Sequence, residues 1–365
     1  MSLFFDEIFS MDNLEKAYKR TLTEGGKFRN EALIFQRNET VNLVRLQKLM
    51  YSGKYKFSGY EHFEVFEPKR RVINAPMYKD KIVQAALSIK LNELYNPKFI
   101  FDSYSCIEGK GTHKAVAKVQ KNIRSAHDKW GDDAYIVKVD VSKFFYSIDR
   151  VIIKDLYRKV IKDDDVLTVL DEIVNSAQEI DDIGLPLGNS VSQLCANIYL
   201  NELDQYCTRF LHYKYYVRYA DDIVIIRPNK TEAQKAKAEC IAYLSDKLNL
   251  VANPKKSQIF PITQGINAFG FKIYTTHKLL RNDSKKKIKR KVKKIPRLVA
   301  NDLMTVEKAN QILGSWSGHA MYADSHRFIQ SILDRRSYIR LDGNIMKINE
   351  EELKKCYTEM NKVSN

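Results

Sequence analysis

Two adjacent carboxylates, Asp221 and Asp222, stand between the apolar runs YYVRYA and IVII, and a third, Asp140, closes the β-branched run YIVKVD. Short β-branched runs predict buried strands, and Ala220-Asp221 fits a tight turn between two of them. The pair is therefore expected at the tip of a hairpin, with Asp140 at the end of another strand. Carboxylates gathered beside a hydrophobic sheet repel one another and are poorly solvated, so they need a compensating cation or a raised pKa. Two Mg²⁺ ions answer that need, because Mg²⁺ takes hard oxygen ligands and completes its shell with substrate phosphates. Two such ions about 3.5–4 Å apart activate an attacking hydroxyl and stabilise the leaving oxygen of an in-line phosphoryl transfer. Y-A-D-D by itself is a weak signal, since Asp is common at turns for local hydrogen-bonding reasons.

The elements that must position these acids read as mixed strands and helices. After Asp140, SKFFYSIDRVIIKDLYRKV has helical periodicity. A longer helix is predicted from near Ser192, with Ala196, Leu200, Leu203, Cys207 and Phe210 on one face and Asn197, Asn201 and Asp204 on the other. Strand, helix, helix, hairpin is an α+β order. From Lys278 to Arg297 eleven Lys or Arg stand against one Asp, with Ile288, Val292 and Ile295 at helical spacing. That segment predicts a helix with a narrow apolar stripe and a broad cationic face, either simply solvated or bound to a polyanion.

The 365 residues, 44% of them hydrophobic, can bury a sizeable core and predict two or three subdomains. Lys+Arg 61 against Asp+Glu 45 leaves a formal charge of +16, which favours a polyanionic partner, nucleic acid before an acidic membrane surface. No apolar run approaches the roughly 18 residues of a spanning helix. The opening MSLFFDEIFS is acidic where a secretion signal is basic, and a cytoplasmic protein is expected. Cys106, Cys195, Cys207, Cys240 and Cys356 are scattered, without metal-clip spacing, and are expected as buried, reduced thiols.

VKVDVSKFF, GLPLGNSVSQLCANIYL, YYVRYADDIVII, NPKKSQIF and FGFKIY follow one another as they do in reverse transcriptases, and most of the chain resembles that family. Within it the sequence is most similar to the enzymes of diversity-generating retroelements. Their L-P-x-G-x-x-x-S-Q signature is met by Leu185, Pro186, Leu187, Gly188, Ser192 and Gln193, where group II intron and retroviral enzymes have Gln-Gly followed by Ser-Pro. FDSYSCIEGKGTHKA and GSWSGHAMYADSHRF also resemble that lineage and its bacterial relatives, some of which serve in antiphage defence.

The resemblance implies an α+β right-hand polymerase: N-terminal extension and fingers over 1–135, a ferredoxin-like palm of antiparallel sheet plus helices over 136–150 and 189–275, a fingers insertion over 151–188, a helical thumb over 276–345 and a tail over 346–365. It implies RNA-directed DNA synthesis with two Mg²⁺ ions, Mn²⁺ being able to substitute. Asp140 and Asp221 would be the main ligands, with the Val141 carbonyl, and with Asp222 nearby and secondary. Phe145 would lie under the sugar and exclude a 2′-hydroxyl; read from the residues alone, Phe144 and Phe145 could both simply pack in the core. Lys69 and Arg71, on a short β-hairpin ahead of the palm, would grip the β- and γ-phosphates, Arg70 exchanging roles with either. Lys255 or Lys256 would stand near the leaving pyrophosphate as general acid or electrostatic clamp. Phe269, Gly270 and Phe271 match the primer-grip turn, and Lys286, Lys289, Arg290 and Lys293 would track the template–primer duplex. Leu187, with Gln193 behind it, stands where other members place a glutamine beside the incoming nucleotide, which implies relaxed base selection. The implied partners are a template RNA or structured noncoding RNA, dNTPs, the cDNA product, and a small basic accessory protein or partner subunits; no membrane is implied. The rivals are an antiphage-defence enzyme acting with a noncoding RNA, a viral-type RNA-dependent RNA polymerase, and a non-catalytic nucleic-acid-binding module.

Overall fold

The computed structural model describes residues 2–22, 30–65, 70–176, 182–334, 339–341 and 344–346. The chain divides into two compact units, Met1–Pro261 and Ile262–Asn365. In the first, a hairpin of β1 (Tyr60–Val65) and β2 (Arg71–Pro76) precedes a sheet built from β3 (Tyr135–Asp140), β4 (Tyr216–Tyr219), β5 (Asp222–Arg227) and β6 (Gln258–Pro261). The spatial order of the sheet is β4-β5-β3-β6, with every neighbouring pair antiparallel. The Ser190–Gln205 helix lies between β3 and β4 and the Lys230–Leu248 helix between β5 and β6. That order and connectivity are ferredoxin-like, as expected for a palm.

Alternation along the strands separates two faces. Val137, Val139, Ile223, Ile225 and Tyr216 join one core with Leu200, Leu203 and Leu244 from the two helices. Ile136, Lys138 and Asp140 share the opposite face, and the register sets Asp140 directly across from Asp222. Ile223 to Ile226 are all buried, so both faces of β5 are covered.

The Ser190–Gln205 helix begins two residues before its expected start, because the Asn189 side chain caps it by accepting from the Ser192 N–H. Its polar side is not a solvated face: Asn197 and Asp204 are as buried as Leu203. The long helix expected after Asp140 is two pieces, a single turn at Phe144–Ser147 and Arg150–Val160, the second capped by Asp149. The 184–188 segment is stitched on both sides, the Leu185 N–H donating to the Phe145 carbonyl and the Leu187 carbonyl accepting from the Asn74 N–H of β2, each at 2.8 Å. Gly188 makes that approach possible: its φ is +114°, and a Cβ there would lie 2.9 Å from Ile73 Cγ2. At the amino end the Phe5 N–H donates to the Asp163 carboxylate at 2.9 Å. Cys195, Cys207 and Cys240 are buried free thiols; Cys106, contrary to expectation, is exposed, because it sits at positive φ in a surface loop, and Cys356 lies outside the described residues. Among the described residues no helix is long and apolar enough to cross a membrane.

In the second unit β7 (Ile266–Ala268), β8 (Phe271–Ile273) and β9 (Lys278–Leu280) form their own three-stranded antiparallel sheet. These strands bond to one another and not to the four-stranded sheet, in keeping with a compact unit that starts at Ile262. The basic segment opens as β9 and becomes helical only over Asn282–Ala300. Its stripe of Ile288, Val292 and Ile295, extended by Val299, packs against Ala309 and Leu313 of the Val306–Ala320 helix and Ile332 of the His326–Asp334 helix. Lys286, Lys289, Arg290 and Lys293 are exposed, although the Lys289 ammonium stands 5.5 Å from the centre of the Phe328 ring. Neutralising the four together is expected to weaken binding of an RNA–DNA duplex and to flatten its salt dependence, by about one unit of log–log slope for each phosphate no longer neutralised. Filter binding across a salt series measures the slope; an unchanged slope would identify the helix as merely solvated.

Candidate active site

The β4–β5 hairpin closes on Tyr219 opposite Asp222, which leaves Ala220 and Asp221 as the two-residue turn. Ala220 is left-handed, with φ +52°. Asp140 sits at the end of β3, where the Asn253 N–H donates to its carbonyl at 2.7 Å and its own N–H donates to Ser257 Oγ at 3.2 Å. The turn from Asn253 to Ser257 thereby clasps the strand end, and it delivers Lys256. The Lys256 ammonium lies 2.7 and 2.6 Å from the two Asp140 carboxylate oxygens. Of the two lysines left open by the sequence, Lys256 is the one that reaches the acid, while Lys255 is exposed and turns its N–H to Asn253 Oδ1.

Asp222 has a lysine of its own. Lys138, two residues before Asp140 on the same face of β3, pairs with Asp222 Oδ1 at 3.0 Å. The sequence carried a signal for this residue, because strand alternation alone places Lys138 beside the acids.

Burial pushes the Asp221 carboxyl up to about 6, and the charges of Asp222 and Asp140 add to the rise. Burial also raises Asp140, with Lys256 pulling the other way and Asp222 reinforcing the increase. For Lys256 burial opposes the charge, but Asp140, Asp222 and Asp221 together outweigh it and hold the ammonium above its ordinary value. Among the described residues no three His, Cys, Asp or Glu side chains converge as a ready-made metal cluster. The donor set nevertheless fits Mg²⁺, which commonly binds through one or two carboxylates and fills its shell with water and phosphate oxygens. Asp140 and Asp221 supply such a pair, and Asp222 is drawn aside to Lys138. The two backbone bonds flanking Val141 use the Asp140 carbonyl and the Ser142 N–H, and neither uses the Val141 carbonyl.

Phe145 is half-buried and its ring meets Phe144 with centroids 5.6 Å apart; Phe144 is the core residue of the two. Leu187, also half-buried, follows two residues after the bond from Leu185 to Phe145, so one segment gathers both. Gln193 lies elsewhere: exposed on its helix, it lines a cleft of about 520 Å³ with Arg20, Asn92, Cys106 and Glu108. Arg71 opens β2, Arg70 is exposed and paired with Glu64 at 2.6 Å, and Lys69 lies outside the described residues. In the second unit Phe269 and Gly270, both at positive φ, form the two-residue turn from β7 to β8. Phe269 and Phe271 are buried, Phe271 against His319 and Tyr322, which leaves the backbone of the turn for any contact with a primer.

A ferredoxin-like antiparallel sheet with one acid ending its first strand and two more at the tip of its central hairpin is the palm of a nucleic-acid polymerase. Residues 66–273, more than half of the chain, match the family described as reverse transcriptase (RNA-dependent DNA polymerase), and the chain belongs to that family. It is 25% identical over 311 residues to Protein YkfC of Escherichia coli (strain K12), covering 72% of this chain and 77% of that one. It is 28% identical over 144 residues to the group II intron-encoded protein LtrA of Lactococcus lactis subsp. cremoris, 38% of this chain and 23% of LtrA. The fold is similar to that of apo telomerase from Candida tropicalis, with a TM-score of 0.50 and 13% identity over 77% of this chain and 57% of the telomerase chain.

The raised Asp221 carboxyl gives a signed pH dependence. Its value rises from 3.8 to about 6 on folding, so its contribution to stability is fully present below about pH 3.8 and is lost as pH climbs through about 6. Asp221→Asn is therefore expected to stabilise the metal-free protein at pH 7.5 by roughly 1–3 kcal/mol, the gain shrinking towards pH 4. Urea unfolding in EDTA at the two pH values reads the difference, and equal gains at both would show that the carboxyl is not raised.

Proposed function

We propose that this reverse transcriptase copies RNA into DNA by two-metal phosphoryl transfer at Asp140 and Asp221. The observation that supports it best is the pairing at one sheet end of a buried acid, Asp140, and a half-buried one, Asp221, both with raised carboxyls, beside a third that a lysine holds back. When bound, two Mg²⁺ ions would supply a Lewis acid for the attacking 3′-hydroxyl and for the leaving oxygen. Asp140 and Asp221 would hold them, with the Val141 carbonyl. Lys256, standing beside Asp140, is the group suited to neutralise or protonate the departing pyrophosphate. Lys138 keeps Asp222 from adding a third negative ligand. Phe145 acts as the sugar gate, the β1–β2 hairpin with Arg71 holds the triphosphate, the Phe269–Gly270 backbone meets the primer end, and the cations of the Asn282–Ala300 helix follow the duplex.

The signature from Leu185 to Gln193 supports a further step, that the copying is the mutagenic kind of a diversity-generating retroelement, with its template RNA and a small basic accessory protein. Leu187 presents an apolar side chain where an amide would report nucleotide position, so discrimination there rests on shape.

Asp140→Asn and Asp221→Asn are each expected to lower primer extension on an RNA template by about a thousandfold or more, ~4 kcal/mol of barrier, while RNA binding stays near wild type. Near wild-type extension by either variant would sink the two-metal assignment. Leu187→Gln is expected to lower misincorporation up to about tenfold, ~1.4 kcal/mol, most visibly opposite template adenine. Sequenced products with identical error spectra would remove the mutagenic reading and favour the antiphage-defence one.

A further inference from the structure

The catalytic turn is tethered from behind by a side chain that the reaction does not use. Arg218, on β4, is fully buried. Its Nε lies 2.8 and 2.9 Å from the two oxygens of Asp204, and its Nη2 lies 2.7 Å from Oδ2 of the same carboxylate. Nη1 turns the other way and donates to Asn197 Oδ1 at 3.1 Å and to the Ala220 carbonyl at 3.2 Å. The frame around it is itself fixed. The Tyr216 hydroxyl donates to Asp204 Oδ1 at 2.6 Å, and the Asn197 amide donates to the Ser105 carbonyl at 2.9 Å. The Arg218 backbone is held too, its N–H donating to the Asp102 carbonyl and its carbonyl accepting from the Tyr104 N–H, both at 3.0 Å.

A buried ion pair gains little net stability, because desolvation offsets the attraction. Position is what such a pair can supply. Ala220 is held in a left-handed conformation that disfavours any residue with a Cβ, and the next residue bears a half-buried carboxylate beside two others. A strained turn whose charge is repelled by its neighbours relaxes unless something holds it. The planar guanidinium provides that hold: once Nε is hydrogen-bonded to Asp204, with Nη2 in ion-pair contact with the same carboxylate, the direction of Nη1 follows. We propose that Arg218, locked by Asp204, is a positioning residue that fixes the Ala220-Asp221 turn and so the place of the Asp221 carboxylate beside Asp140. The proposal rests on the reading of these acids as metal ligands. Asp204 balances the charge of Arg218, so its influence is geometric.

Arg218→Lys keeps a cation beside Asp204 and removes the fork. Turnover per active site, counted from the burst amplitude of primer extension, is expected to fall about ten- to a hundredfold, with the KM for dNTP changed by less than about threefold. The Mg²⁺ concentration for half-maximal activity should rise about fivefold or more, and Mn²⁺ binding to the nucleotide-free protein, followed by electron paramagnetic resonance, should weaken alongside it. Should the lysine variant fail to fold, Asn197→Ala frees Nη1 alone and is expected to show the same pattern at smaller size. A folded variant with fewer active sites but unchanged turnover per site, Mg²⁺ midpoint and Mn²⁺ affinity would overturn the proposal and leave Arg218 as a core ion pair. Mn²⁺ binding reads the tether without nucleotide chemistry, so failure of the tether and failure of the polymerase reading appear in different measurements.

Discussion

Repulsion between carboxylates governs this molecule. Asp140 and Asp222 face each other across two central strands, an arrangement that destabilises a sheet even at its surface, and Asp221 is half-buried beside them. The surrounding chain is organised to contain that repulsion without cancelling it. Two lysines from different segments each take one acid, Lys138 of β3 taking Asp222 across on β5 and Lys256, from the turn that clasps the strand end, taking Asp140. The two helices between the strands pack their apolar side chains on the opposite face of the sheet and hold the strands that carry the acids in register. The result is a site with unspent negative potential, fitted to cations that arrive with a substrate.

What the sequence made legible follows from the range of the signal. Strand periodicity revealed β3 and β5, turn chemistry revealed Ala220 and Asp221, and helical spacing revealed Ile288, Val292 and Ile295, because each pattern is confined to a few neighbouring residues. The palm topology was legible through the ordered motifs. Partnerships across long stretches were not. Arg218 meets a carboxylate on the polar side of a helix, and no spacing rule announces that Asn197 and Asp204 turn inward. The choice between Lys255 and Lys256 required the turn geometry, and the separation of the three short strands from the four-stranded sheet required knowledge of which strands bond to which.

The signature read as one motif also serves two places. Leu187 belongs to a segment clamped between β2 and the Phe145 turn, whereas Gln193 lies beyond the Asn189 cap and lines a separate cleft. The helix start between them redirects the chain, so residues six apart in sequence face different surroundings.

The bonds that complete the first unit also order its assembly in time. Phe5 is bonded to Asp163, 158 residues further on, and Asn74 to Leu187. At about 5–20 residues per second, a ribosome needs roughly 8–30 s between making the first member of the earlier pair and the second. Phe5, Ile8 and Phe9, buried in the finished protein, spend that interval without the Asp164–Asn175 helix, one of the helices that pack against theirs. For such a nascent chain, translation speed, temperature and access to chaperones govern the yield of native molecules as much as final stability does.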